Sequence, residues 1–107
     1  MKTKDMLSEH VQQLVKRMQQ YFPAQPVEKV WLFGSCSRGD ETSDSDVDII
    51  VSFDKNSHVT LFTMGGMYMD LKEILGCEVD LIEEGTLLPF AQESANHDKI
   101  LIYERAS

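Results

Sequence analysis

Residues 30 to 51 read VWLFGSCSRGDETSDSDVDIIV, from Val30 to Val51, and two apolar runs frame a polar middle. The first run, extended back to Val27, is rich in Val, Trp, Leu and Phe and predicts a buried strand, Val27 to Phe33, that stops at Gly34. Val47, Ile49, Ile50, Val51 and Phe53 announce a second strand. Between them, Ser35 to Ser45 holds 11 residues and no large apolar side chain. That is long for a hairpin connection, and a long polar loop on a rigid sheet is where function tends to sit.

Working outward, Leu7, Val11, Leu14, Val15, Met18 and Phe22 repeat with helical spacing and predict an amphipathic helix from Thr3 to Phe22, stopped by Pro23 and Pro26. A second helix is expected from His58 to Leu75, with Leu61, Met64, Met67, Tyr68, Leu71, Ile74 and Leu75 as its apolar positions. Thr60 suits its N-cap and Gly76 its C-cap. Gly65 and Gly66 inside it each cost about 1 kcal/mol against Ala, which implies a kink or a close packing contact. The Met-rich stretch Met64, Met67 and Met69 reads as core filling. Glu78 to Glu83 predicts a third strand, Leu88 to Asn96 a short helix and Ile100 to Tyr103 a last strand. Trp31 is expected in the strand core, and His10, His58 and His97 on the surface.

The chain has 107 residues, 10 basic and 18 acidic, for a net charge of −8. One domain spanning 1–107 is expected at this length. Strong negative charge without a Lys/Arg cluster argues against binding long nucleic acid unaided, since phosphate neutralisation supplies most of that affinity. Cys36 and Cys77 form no CxxC pair and read as free thiols in a reducing cytoplasm. With no histidine near it in sequence, Cys36 is not read as a nucleophile. The start of the chain turns polar quickly, without the apolar core of a signal peptide, and no run approaches a membrane span. A cytoplasmic protein is expected.

Gly34-Ser35-Cys36-Ser37-Arg38-Gly39 directly follows a strand, where small residues let backbone approach a phosphate. It is not a Walker loop. Gly34 and Gly39 have that spacing, but Asp40 and Glu41 stand at the lysine and hydroxyl positions, where they would repel a triphosphate. Asp44, Asp46 and Asp48 alternate, so that at least Asp46 and Asp48 are expected on one face once the strand begins. Two carboxylates about 5 Å apart repel by roughly 3 kcal/mol at an effective dielectric of 20, which calls for a cation or access to water. An EF-hand is excluded, because Ile49 replaces the turn glycine and Lys55 the bidentate glutamate. Asp40, Glu41 and Asp44 read as a solvated edge. Asp80, inside Val79-Asp80-Leu81-Ile82, is costly in a buried strand unless paired or metal-bound. A neighbouring strand bringing it beside Asp46 and Asp48 would put three carboxylates and a phosphate-binding turn around one cleft, the equipment of two-metal phosphoryl transfer.

Gly34-Ser35 with Arg38-Gly39, then Ser45-Asp46-Val47-Asp48 and Val79-Asp80-Leu81, resembles the minimal nucleotidyltransferase (MNT) group of the DNA polymerase beta superfamily. The likeness covers roughly Val27 to Ile82, and the joint pattern is far more specific than a GS turn or a DxD alone. It implies an α/β (α+β) nucleotidyltransferase fold, a small mixed sheet with helices packed on it, using ATP and two magnesium ions. Gly34 and Ser35 would hold the β- and γ-phosphates, Asp46 and Asp48 would bridge the metals, and Asp80 would ligand the metal that activates the attacking hydroxyl. Arg38 would touch phosphate or pair with a nearby acid. Ser37 stands where family members often have alanine.

The chain leaves no room for an acceptor-binding domain, so a partner is expected to supply the acceptor. Stand-alone MNT proteins are often antitoxins of HEPN ribonuclease toxins, and the resemblance implies AMP transfer from ATP to a tyrosine of such a toxin. Two other readings stay open: a non-catalytic antitoxin that masks its partner with an acidic face, and nucleotide transfer to a small molecule. A homodimer or a hetero-oligomer, the base of the nucleotide and the acceptor are left undecided by the sequence.

Overall fold

The computed structural model describes residues 7–38, 46–86 and 99–105. Ser8 starts the first helix, its hydroxyl accepting a hydrogen bond from the Val11 N–H at 3.2 Å. Helix α1 therefore runs Glu9–Tyr21 rather than from Thr3. A capping hydroxyl satisfies a backbone donor that has no partner within the helix, and the apolar stripe alone does not reveal where that happens. Phe22–Ala24 forms one 3₁₀ turn with Pro23 inside it. Strand β1 (Val27–Phe33) follows, then the one-turn helix α2 (Ser35–Arg38), β2 (Val47–Phe53), α3 (Leu61–Leu75), β3 (Val79–Glu83) and β4 (Ile100–Glu104). The expected helix at Leu88 to Asn96 lies outside the described residues.

The sheet order is β3-β2-β1-β4. β1 is antiparallel to both neighbours, while β2 and β3 are parallel. Parallel neighbours need a crossover, and α3 supplies it. The mixed sheet expected from the sequence is thus present. Thr60 caps α3 reciprocally with Thr63, and Gly76 ends it at φ 69°, a left-handed conformation that glycine adopts without penalty.

Alternation along the strands sets the core. Val47, Ile49 and Val51 of β2 join Val30 and Leu32 of β1, Val11, Leu14, Val15 and Met18 of α1, and Met67, Leu71 and Leu75 of α3 in one apolar cluster. Each such side chain contributes about 1.5–3 kcal/mol when fully buried. Asp48, Ile50 and Ser52, the alternate residues of β2, face the other side of the sheet.

Three expectations need correction. Only Met67 of the three methionines is core, at 2% exposure, while Met69 is exposed and Met64 is half-buried. Leu61 is 86% exposed, and its neighbour Phe62 91%. Apolar residues surround α3 on all sides, so periodicity could not tell which of them face the sheet. The close packing inferred as one alternative from Gly65 and Gly66 is not found: a Cβ at either position would meet nothing within 4 Å, and α3 runs unbroken through both.

Candidate functional site

β1, β2 and β3 bring their site residues to one end of the sheet. Phe33, the last residue of β1, pairs with Asp48, and Asp48 pairs in parallel register with Asp80. In-register neighbours point to the same face, so the two carboxylates share the face opposite the helices. Asp48 is half-buried and Asp80 is exposed. The expectation that Asp80 interrupts a buried strand is corrected: β3 is the edge strand, and water reaches the carboxylate there. Asp46 lies just before β2 and is exposed.

Two thiols lie near Asp46. Its carbonyl accepts from the Cys36 thiol at 3.7 Å. The Cys77 thiol sits close enough to feel its carboxylate: burial first, then the charges of Asp46 and Glu78, push that thiol pKa up. Both cysteines are free, as expected. Cys36 is 3% exposed and part of the apolar core, which agrees with a structural rather than a nucleophilic thiol. Among the described residues, no three His, Cys, Asp or Glu side chains stand close enough together to hold a metal ion by themselves. Asp48 and Asp80 are neighbours; Asp46 does not complete a three-group cage with them.

Gly34 joins the end of β1 to α2 at φ 73°. Its carbonyl accepts two hydrogen bonds from Ser37, from the hydroxyl at 2.8 Å and from the backbone N–H at 3.1 Å. Ser37 is buried, and the bond from its hydroxyl to the Gly34 carbonyl gives that oxygen a partner at a position where the resembled family often has alanine. A Cβ at Gly34 would run into the Asp48 carboxylate, approaching its Cγ to 3.1 Å. Sequence reading missed both contacts, because neither follows from spacing along one strand. Ser35 and Arg38 form the ends of α2. Gly39, Asp40, Glu41 and Asp44 lie outside the described residues.

Trp31 is not in the core cluster. It is half-buried on the Asp48 face, and the Lys99 ammonium lies over its ring at 4.4 Å from the centroid. A cation over an indole face is a favourable contact, so the ring already has an occupant. His10 and His58 are exposed, as expected, and His97 lies outside the described residues.

Comparison with known proteins gives the same picture. A family model described as a nucleotidyltransferase domain matches residues 11–105. A protein of Methanocaldococcus jannaschii that carries a provisional protein adenylyltransferase name is 36% identical over 71% of this chain and 77% of its own length. Among solved structures, a toxin–antitoxin complex with AMP-PNP superposes with a TM-score of 0.66 at 19% identity, covering 89% of this chain and 73% of that one. The structure of a tri-AMPylated Shewanella oneidensis HEPN toxin with its MNT antitoxin gives a TM-score of 0.59 at 17% identity, over 90% and 71% of the two chains. At such identities the structural likeness is one of fold.

Proposed function

The chain belongs to the nucleotidyltransferase domain family, and from that premise we propose that it transfers AMP from ATP to a tyrosine hydroxyl of a HEPN-type ribonuclease toxin, acting as the antitoxin of the pair. The observation that carries the reading is the in-register pair of Asp48 and Asp80 beside the Gly34 turn. The protein adenylyltransferase name of the 36% identical relative supports the reaction, and the AMPylated toxin in a complex of the same fold supports the acceptor.

In this reading Gly34 and Ser35 hold the β- and γ-phosphates, with Arg38 as a further cation for phosphate. Asp46 and Asp48 would hold magnesium ions, and Asp80 would help hold the metal that activates the attacking hydroxyl. The donor set fits: magnesium takes hard oxygen ligands, usually one or two carboxylates completed by substrate phosphates and water rather than a cage built by protein alone. Bound there, the ions would offset charge on the α-phosphoryl group and on the leaving pyrophosphate. The tyrosine oxygen forms a bond to the α-phosphorus, the bond to the pyrophosphate oxygen breaks, and the hydroxyl proton is released.

The reading includes a single domain over residues 1–107 and a cytoplasmic setting. Free thiols support the latter, and among the described residues no helix is long and apolar enough to cross a membrane. Net charge of −8 weighs against long nucleic acid as a partner.

Incubation with a HEPN-type partner and ATP labelled at the α-phosphate tests the reading. Label is expected on a partner tyrosine, and none from γ-labelled ATP. No transfer of the α-label would remove the proposal.

A further inference from the structure

Gly34 is conventionally read as backbone that admits a phosphate, yet the nearest side chain to its missing Cβ is a carboxylate. A Cβ built there would run into Asp48 Oδ2 and lie 3.1 Å from Cγ and 3.3 Å from Cβ of the same residue. We propose that Gly34 is a positioning residue for Asp48: the absence of a side chain at Gly34 leaves the volume in which the Asp48 carboxylate sits, and so sets its direction.

The surroundings decide which group would yield if that volume were filled. Gly34 cannot easily drift, because its carbonyl is tied to Ser37 twice, at 2.8 and 3.1 Å. Backbone at Asp48 cannot drift either, since it lies in the sheet between Phe33 on β1 and Asp80 on β3. The Asp48 side chain is the movable part. A carboxylate at the end of two rotatable bonds can turn away from a clash where backbone held in the sheet cannot, and that turn takes it off the direction it shares with Asp80.

Two separate constraints thus act at Gly34. Its φ of 73° strains most L residues, but asparagine tolerates that region. Contact with Asp48 means that any residue with a Cβ, asparagine included, has to displace the carboxylate. Substitution by alanine breaks both constraints, and substitution by asparagine breaks chiefly the second.

This inference rests on the reading that Asp48 is a metal ligand, so the experiment separates the two. Binding of Mn2+ to the nucleotide-free protein is measured for wild type, Gly34→Ala, Gly34→Asn, Asp48→Asn and Gly34→Ala with Asp48→Asn. Both glycine variants are expected to weaken Mn2+ binding by about tenfold or more, the range seen when a ligand loses its orienting contacts. The double variant is expected to bind no worse than Asp48→Asn alone. Wild-type Mn2+ affinity in both glycine variants, or losses that multiply in the double variant, would overturn the positioning role. Unchanged affinity in Asp48→Asn would instead remove the ligand reading beneath it, and the positioning role with it. Should Gly34→Asn fail to fold, adding Asp48→Ala removes the carboxylate that the new side chain meets and is expected to restore folding; no restoration overturns the proposal.

Discussion

The two ends of the sheet treat their carboxylates in opposite ways. At the end where β1 begins and β2 and β4 finish, Asp54 receives the Arg105 guanidinium at 2.7 Å, and Glu104 lies 3.7 Å from the Lys29 ammonium. Arg105 also donates to the Gln25 carbonyl, joining β4 to the start of β1. At the other end Asp48 and Asp80 stand side by side in register. Like charges directly opposite on neighbouring strands destabilise by roughly 0.2–1 kcal/mol. One end sets carboxylates against cations, and the other sets two carboxylates in register on neighbouring strands. Local disagreement with the rules of stability is what a functional site is expected to show.

Substitutions can break the contrast from either side. The largest effect is expected at the carboxylate end: Asp46→Asn with Asp48→Asn should lower transfer of the α-label by at least about 100-fold, since even contacts that only orient a metal ligand are worth 10–100-fold. The variant should stay folded by circular dichroism and still associate with the partner. A variant that labels the partner as wild type does would erase the functional half of the contrast.

At the opposite end, Arg105→Ala should lower unfolding free energy by about 2 kcal/mol in urea titrations, the range for hydrogen bonds to charged groups, and leave transfer untouched. Loss of transfer in that variant would mean that the two ends are not separable.

A smaller effect sharpens the position of Asp46. The Cys77 thiol pKa is raised above its unfolded value, by burial first and then by Asp46 and Glu78. Its contribution to stability is therefore complete below the unfolded thiol pKa and is lost as pH rises through the folded one. At pH 8.5 Cys77 should alkylate several-fold more slowly than a peptide thiol, as read by mass spectrometry of the labelled peptide. Asp46→Asn should recover about twofold of that rate and no more, because burial is the larger cause.

Much of this could be read from residue order, and the exceptions have physical reasons. Both strands around the polar loop have the expected bounds, because Val27–Phe33 and Val47–Phe53 are apolar runs closed by a glycine on one side and aspartates on the other. Thr60 and Gly76 cap α3 as expected, since capping depends on local chemistry alone. Strand order is not local, and it makes Asp80 an exposed edge residue instead of a buried one. The faces of α3 were hidden for a different reason: Leu61, Phe62 and Met69 are as apolar as the buried Met67 and Leu71, so nothing in their spacing marks them as exposed. In the sequence Gly34 reads as a turn glycine that lets a phosphate approach the backbone. Its constraint comes from Asp48, on the next strand, and only pairing of β1 with β2 brings the two together.

Asp80→Asn joins both halves of the contrast in one measurement, the unfolding free energy with and without magnesium and AMP-PNP. Without ligand, removing one of two neighbouring charges should raise stability by about 0.5 kcal/mol. With ligand at about 100 times its dissociation constant for wild type, the wild-type protein should gain about 2.7 kcal/mol and the variant much less. A variant that is less stable alone and gains as much as wild type would contradict the claim that the paired aspartates are kept for a cation and its nucleotide.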